Sequence, residues 1–290
     1  MNLNPFDRQS LIQLAEHQYA PATVKINHQL ICSIPWPTNS ATPMTLNLSE
    51  PMASDSLSAI CFLLSMTSIN YRFWSLEQDG TISRYRHMDK TGARALWAAF
   101  EAAWGPTPHY GAKLAARISA DDFPRLFGRM PDQEGRLAIL GELLSHDKLH
   151  AGAQILLADI RSHGKVTVDQ AAGLAAIFPQ AFEDPYLKKA QLALSMIAAV
   201  LRDSGTEVNV AGLTAMADYQ VPRVLRALGV LEYCPSLADR INRHDLLEEG
   251  GPEELAIRAA TIIACEAIAA HTGGTSADIY NLLCLSQDIA

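Results

Sequence analysis

From Thr91 onward the sequence carries a helical pattern with almost no interruption. Ala, Leu and Ile recur there at steps of three and four residues, and residues that start or stop helices separate the apolar runs. Thr167 and Gln170 form a capping-box pattern before one such run. Gly205 follows another run, Tyr186–Arg202, as a stop signal. The pattern predicts a mainly α-helical protein.

The first hundred residues are less uniform. A short helix is predicted at Leu11–Glu16, and Thr23–Ile34 alternates β-branched and polar residues, which is typical of extended backbone. The Pro- and Ser-rich stretch Pro35–Ser56 indicates a long connection, followed by a helical run at Ser56–Ser65. A turn signal and a second alternation over Asp79–Tyr85 predict a small hairpin.

Length and composition narrow the classes of protein. A chain of 290 residues can bury a substantial core, and we expect one domain, with a mixed part over about 1–105 and a helical remainder over 106–290. The apolar fraction of 49% excludes a disordered chain. The formal charge of −8 argues against binding a long polynucleotide, which depends on clustered Lys and Arg. A small anionic ligand in a local basic pocket stays possible.

The sequence favours a soluble protein of the cytoplasm. The apolar run near Ile60–Met66 falls short of the roughly 20 residues of a membrane span, and residues 1–10 do not resemble a secretory signal. Five widely spaced cysteines without a C-x-x-C pair indicate neither a disulfide framework nor a zinc site. His146 and His150 share a helix face but lack a third ligand, so no metal site is predicted.

Three local clusters carry residue types that suit chemistry. The first, Asn70–Trp74, has three aromatic rings and an amide, which could stack on and read a flat heterocycle. A core corner where a helix turns into a strand explains the same residues. The second, Tyr186–Gln191, opens a strongly apolar helix with two lysines, which could line a wet cavity or simply solvate the first turn.

The third cluster places Asp218 just before a helix that carries Pro222 in its first turn. A carboxylate at this position can cap exposed amides or project into a cleft, and one sequence does not separate these roles. Farther on, Glu254 and Arg258 are one helical turn apart. A surface ion pair is the simplest interpretation of those two residues.

In this order, the three clusters resemble the queuosine salvage family, which comprises queuosine 5′-phosphate N-glycosidases formerly known as a domain of unknown function. Asn70–Trp74 matches its N-F-x-F-W-like motif and Leu187–Gln191 its Y-K-R-A-Q-like motif. Ala217–Leu225 matches its A-D-Y-R-x-P-Q-x-L motif, and the family's continuation follows at Gly229–Tyr233 and Glu254–Arg258. The resemblance runs from about Val24 to the C-terminus.

The chain departs from the family's pattern at several positions. The Arg and Gln of the third motif are exchanged and stand here as Gln220 and Arg223. Leu187 replaces a Tyr, and Leu282–Leu283 stands where a Leu-Trp pair is usual. Such changes would suit a divergent branch with an altered ligand preference.

The resemblance implies a helical fold similar to DNA glycosylases with a small mixed N-terminal part. It also implies hydrolysis of queuosine 5′-phosphate to queuine and ribose 5-phosphate, for salvage into tRNA modification, with neither metal nor cofactor. Asp218 would be the catalytic carboxylate beside the sugar, and Lys188 the catalytic cation.

The resemblance further implies substrate-binding residues, which fall into three groups. Asn70, Gln191 and Glu254 would contact the edge of the base. The rings of Tyr71, Phe73, Trp74 and Tyr219 would stack on it, and Lys188, Arg223 and Arg258 would bind the phosphate.

Other functions remain open at this stage. The chain could be an N-glycosidase for another modified nucleotide, a helical nucleic-acid-binding or glycosylase-like module, or a non-catalytic scaffold. A scaffold predicts a shallow surface near Asp218, whereas an enzyme predicts an enclosed pocket that receives Lys188, Asp218 and Trp74. The sequence makes no prediction of oligomeric state.

Overall fold

The computed structural model describes residues 6–37, 46, 48, 55–105, 111–144 and 146–285. The helices in these residues are α1 Arg8–Gln18, α2 His28–Ser33, α3 Ser56–Ser68, α4 Gly92–Trp104, α5 Ala112–Ala115, α6 Phe123–Phe127, α7 Gln133–Leu143, α8 His146–His163, α9 Val168–Ile177, α10 Pro179–Phe182, α11 Lys188–Asp203, α12 Gln220–Ala227, α13 Pro235–Asn242, α14 Pro252–Thr272 and α15 Ser276–Leu285. The prediction of a mainly helical protein is confirmed, while the likeness to DNA glycosylases stays a prediction.

The strands in these residues are short and pair only two by two. They are β1 Val24–Ile26, β2 Trp74–Leu76, β3 Ile82–Arg84, β4 Arg86–His87, β5 Lys90–Thr91, β6 Lys165–Thr167, β7 Asn209–Gly212 and β8 Leu231–Tyr233. Three pairs are antiparallel, β1 with β8, β2 with β3 and β4 with β5, whereas β6 and β7 run parallel. The β1–β8 pair joins the first forty residues to the helical remainder, so strand pairing crosses the predicted boundary near residue 105. The single-domain division itself stays a prediction.

Several local predictions for the N-terminal part can be compared with the structure. The predicted helix at Leu11–Glu16 lies inside α1. The extended prediction for Thr23–Ile34 is wrong after β1, because the Asn27 side chain accepts a hydrogen bond from the Leu30 amide (3.1 Å) and starts α2. Most of the predicted connection at 35–56 lies outside the described residues. The predicted hairpin is present as β2 and β3.

The core is organised around two helices that are apolar on nearly every side. All of α3 from Ser58 to Ser68 is buried, as is all of α11 from Ala190 to Leu201, and the two helices pack against each other. A helix that is apolar all round belongs in the interior. Because the C-terminal end of α3 contacts the N-terminal end of α11, this packing brings the first and second sequence clusters together.

Within the described residues, α14 is long and apolar enough to cross a membrane by length and composition alone. This helix is longer than the apolar run at Ile60–Met66. In the structure α14 packs against α1, α2, α12 and α15, and ten of its residues are buried. A buried core helix passes the same length and composition test, and the packing of α14 is that of a core helix.

Candidate active site

Asp218 lies in the loop between β7 and α12, and its side chain accepts hydrogen bonds from three donors. Its Oδ1 accepts hydrogen bonds from the amides of Gln220 (2.8 Å) and Val221 (3.2 Å), and its Oδ2 accepts one from the Tyr280 hydroxyl (3.3 Å). The predicted contact with the start of a helix is therefore present. Asp218 is half-buried. A carboxylate fixed in this way is oriented before any ligand arrives.

Tyr280 and Cys284 lie one turn apart on α15, beside this carboxylate. Burial raises the pKa of Tyr280 well above its usual value, so the phenol stays protonated and can donate to Asp218. Burial likewise raises the pKa of the Cys284 thiol to about 12; the charge of Asp218 acts in the same direction and that of Lys188 in the opposite one. The charges of Asp218 and Lys188 are thus both felt at the same thiol.

Lys188 is the first residue of α11, and its main chain is held more firmly than its side chain. Its amide donates to Asp184 Oδ2 (2.7 Å), and its Nζ lies 3.5 Å from the carbonyl oxygen of Asn70. The preceding Leu187 has a positive φ of 52°, which is costly for a residue with a branched side chain. This backbone conformation turns the chain sharply into α11 where the family has Tyr.

A buried ion network lies behind Lys188 and Asp218. The Arg258 Nη2 atom lies 2.6 Å from Asp184 Oδ1 and 2.7 Å from Oδ2, and its Nη1 donates to Glu254 (3.2 Å). Only 14% of the Arg258 side chain is exposed. Glu254 and Arg258 form the predicted ion pair, but its predicted location on the surface is wrong. The guanidinium also binds Asp184 and is largely buried.

The aromatic cluster lies where α3 ends and β2 begins, as the core-corner interpretation predicts. The Phe73 ring is buried and stacks on Tyr85 at 6.1 Å between ring centres. Tyr71 is held between two cations, with Arg136 4.1 Å and Lys189 4.9 Å from its ring centre. Trp74 is half-buried.

Three cations bind five consecutive main-chain carbonyls at this corner. Lys189 donates to the carbonyl of residue 68 (2.9 Å) and Lys188 approaches that of residue 70, while Arg136 donates to those of residues 69, 71 (2.6 Å) and 72 (2.9 Å). Burial lowers the pKa of Arg136 to about 10 and, with the nearby charge of Lys188, that of Lys189 to about 8. Positive side chains thus stabilise the negative end of α3.

The predicted site residues differ in their positions relative to Lys188 and Asp218. Asn70, Tyr71, Glu254 and Arg258 join Lys188 and Asp218 through the contacts above. Tyr219 is 47% exposed; partial burial raises the pKa of its hydroxyl, and the charges of Arg84 and Arg223 act in the opposite direction. Arg84 is the cross-strand partner of Trp74 in the β2–β3 hairpin.

Two predicted residues are enclosed in the core. Gln191 is fully buried: its Nε2 donates to the Tyr186 carbonyl (2.9 Å) and its Oε1 accepts from the Thr214 amide (2.8 Å). Phe73 is 6% exposed and packs on Tyr85. In this arrangement both residues support the site from behind, and their predicted contact with a base stays a prediction.

Two cavities flank the ion network in the described residues. One of about 530 Å³ is bordered by Asp184 and Leu187 together with α9 and α10. The other, of about 250 Å³, is bordered by Glu254, Glu253 and Arg240. Neither is bordered by Asp218 or Lys188, so the predicted enclosed pocket that receives both stays a prediction. No group of three His, Cys, Asp or Glu residues in the described ranges is placed to hold a metal ion.

Known proteins match the chain over this region and beyond it. A family model described as "Queuosine salvage protein" matches residues 183–281, which include Asp184, Lys188, Asp218, Arg258 and Tyr280. The predicted resemblance to the queuosine salvage family is confirmed. The chain is similar to three curated proteins that are each named "Queuosine 5'-phosphate N-glycosylase/hydrolase".

The sequence identity of these three relatives to this chain decreases from the bacterial protein to the two eukaryotic ones. The protein from Sphaerobacter thermophilus is 29% identical, with the alignment covering 96% of this chain and 91% of the relative. The Mus musculus protein is 25% identical over 76% of this chain and 69% of its own length. The Dictyostelium discoideum protein is 22% identical over 69% of this chain and 62% of its own length.

Three residues that shape the site were not predicted from the sequence. Asp184, Tyr280 and Arg136 act on partners that lie more than 60 positions away along the chain. Arg136 had a detectable signal, because it shares the buried face of α7 with Ile139, Leu140 and Leu143. A charged residue on an apolar helix face needs partners in the core.

Proposed function

We propose that this protein hydrolyses the N-glycosidic bond of queuosine 5′-phosphate and releases queuine and ribose 5-phosphate. The observation that carries the proposal is the fixed carboxylate of Asp218, which lies within the family match together with Lys188. The relative that aligns with 96% of the chain bears the name of this activity. In our proposal Asp218 and Lys188 are the two catalytic residues.

The reaction requires negative charge beside the sugar. When the bond between the ribose C1′ and the base nitrogen breaks, its electron pair leaves with the base and C1′ becomes cationic. A carboxylate next to C1′ stabilises this cation or attacks it, and a water oxygen finally bonds to C1′ while its proton goes to the base. Because Tyr280 and two amides already orient Asp218, little reorganisation is needed in the transition state.

The leaving group needs help from other atoms of the base. Queuine is a 7-deazapurine, so protonation at N7 cannot assist its departure. Burial raises the pKa of Glu254, against the opposing effect of Arg258, and its Oε2 is buried with no hydrogen-bond partner in the described residues. We propose that Glu254 and Asn70 contact the base edge, and that Tyr71, Trp74 and Tyr219 surround its ring.

The 5′-phosphate requires a cation at the mouth of the site. Lys188 suits this role, because its Nζ makes only a long contact of 3.5 Å to the Asn70 carbonyl, and Arg223 lies in the first turn of α12. A local positive charge inside a chain of net charge −8 would attract a mononucleotide rather than a polynucleotide. We propose a small-molecule enzyme of the cytoplasm that acts without a membrane.

Product analysis tests this proposal. The purified protein is incubated with queuosine 5′-phosphate, with queuosine and with AMP or GMP, and the products are separated by chromatography. We expect queuine and ribose 5-phosphate from the first substrate at a much higher rate than base release from the others. No queuine release at any enzyme concentration would contradict the proposal.

An N-glycosidase for another modified nucleotide is the second candidate. The observation that favours it is the exchanged pair at the start of α12, where Gln220 and Arg223 replace the family's Arg and Gln. The Gln220 Oε1 atom is buried without a hydrogen-bond partner in the described ranges, so it could accept from a ligand. Base release from a different 5′-nucleotide, without release of queuine, would support this candidate.

A further inference from the structure

One arginine on α14 contacts the residue before Asp218 and the carboxylate that binds the Lys188 amide. All three nitrogens of the Arg258 guanidinium are engaged: Nη2 with Asp184, Nη1 with Glu254 (3.2 Å), and Nε with the carbonyl oxygen of Ala217 (3.1 Å). Ala217 directly precedes Asp218 in the sequence. The arginine therefore holds the backbone from which the Asp218 side chain projects.

Asp184, the other member of the ion pair, contacts the main chain of Lys188. Asp184 Oδ2 accepts the hydrogen bond from the Lys188 amide (2.7 Å) while the same carboxylate contacts Arg258 (2.6 Å at Oδ1). One continuous bridge runs from the start of α11, through Asp184 and Arg258, to the residue before Asp218.

The two side chains of the bridge are largely buried, which restricts their conformations. The Asp184 and Arg258 side chains are 17% and 14% exposed, and the guanidinium lies 4.8 Å from the centre of the buried Tyr186 ring. An ion pair with so little solvent contact is weakly screened by salt. Lysine cannot replace the arginine, because it lacks the planar fork that meets a carboxylate and a carbonyl at once.

We propose that the Asp184–Arg258 ion pair is a positioning device that sets the distance between Lys188 and Asp218. The proposal rests on the hydrolase function proposed above and replaces the predicted phosphate contact of Arg258 with a structural one. Since each nitrogen of Arg258 already contacts an acceptor of the protein, we assign the residue a role through Asp218 and not on the substrate.

The chain contains a matched control for this bridge. Arg8 on α1 also contacts a carboxylate of α14, Glu266 (2.6 Å), and also donates through Nε to a carbonyl of the same loop, that of Leu213 (3.1 Å). Leu213 lies five positions before Asp218. Replacing Arg8 therefore removes a similar arginine contact without touching the residue next to the catalytic carboxylate.

The experiment compares Arg258→Lys and Asp184→Asn with Arg8→Lys. We measure kcat and KM for queuosine 5′-phosphate well below each melting temperature, and hydrogen exchange at the amides of Gln220 and Val221. Those two amides bind Asp218 and so report on its position. We expect kcat to fall by about 10- to 100-fold in the two bridge variants, with a smaller change in KM and faster exchange at both amides.

Arg8→Lys is expected to lower the melting temperature while leaving kcat and the exchange of these amides unchanged. If a folded bridge variant keeps its kcat and its amide exchange and loses only thermal stability, the positioning proposal is wrong. If the unsubstituted protein releases no queuine, the proposed function is wrong, but the exchange measurement still decides whether the bridge holds Asp218. Asp184→Asn keeps an oxygen for the Lys188 amide, so it serves if Arg258→Lys does not fold.

Discussion

The two sides of the candidate site are held by opposite arrangements of charge. On the carboxylate side, Asp184 and Asp218 are fixed by backbone amides and by one arginine. On the carbonyl side, at the end of α3, Lys189 and Arg136 are fixed by main-chain oxygens of residues 68–72. The first side presents a negative group and the second presents rings and positive charge.

The two sides therefore have different roles. The carboxylate side takes part in the reaction, and the carbonyl side supports the structure. A carboxylate that amides orient can face a cationic sugar, whereas a cation held by carbonyls mainly determines where the backbone of the aromatic motif lies. We therefore expect substitutions on the carboxylate side to reduce turnover with little effect on folding. Substitutions on the carbonyl side should first reduce stability.

The largest expected effect is on the carboxylate side, at Asp218. Asp218→Asn keeps the size of the side chain and one oxygen for the two amides, but removes the negative charge that stabilises the cationic sugar. We expect queuine release to fall by at least about 10²- to 10³-fold, with a melting temperature close to that of the unsubstituted protein. Asp203→Asn, at the exposed end of α11, is the matched control. Undiminished turnover in Asp218→Asn would remove the residue from the mechanism.

The next effect tests the carbonyl side through Arg136. This residue is fully buried, and Arg136→Met would remove the guanidinium donor from the carbonyls of residues 69, 71, 72 and 131. We expect the free energy of unfolding to fall by about 3–5 kcal/mol in a denaturant titration. Arg125→Met, whose side chain is 80% exposed, should change it little. A large loss of kcat with unchanged stability would contradict the division between the two sides.

Local features of both sides were predictable from the sequence, and distant ones were not. The Thr167–Gln170 capping box, the β2–β3 hairpin and the turn at Asp218 each depend on residues within a few positions of one another. The location of Arg258 was not predictable, because the one-turn pair with Glu254 looks the same on a surface or in a core. Its burial depends on Asp184, which lies 74 positions earlier.

Lys188 lies where the two sides meet, so its substitution tests which side it serves. If its Nζ binds the 5′-phosphate, Lys188→Ala should lower kcat/KM for queuosine 5′-phosphate by about 10- to 100-fold and change that for queuosine much less. Steady-state kinetics on both substrates measure the two losses. Lys148→Ala, on an exposed position of α8, is the control. Equal losses on both substrates would refute the phosphate role and leave Lys188 as a support for the Asn70 carbonyl.

The smallest expected effect is a pH dependence of stability that belongs to Lys189. Its pKa is lowered to about 8 in the folded protein, against about 10.4 in an unfolded chain. Between these two values the unfolded state binds more protons, so the contribution of Lys189 to the free energy of unfolding rises with pH from about 8 to about 10.

Denaturant titrations of the unsubstituted protein and Lys189→Met at pH 7, 8, 9 and 10 measure this contribution as a difference, in which other titrating groups largely cancel. We expect the difference to shift with rising pH in favour of the unsubstituted protein. Lys25→Met, at a lysine that is 64% exposed, should give a difference that changes little. A flat difference for Lys189→Met as well would mean that the end of α3 holds a fully hydrated ammonium group, and the carbonyl side would then be less buried than its contacts with Ser68 and Tyr71 require.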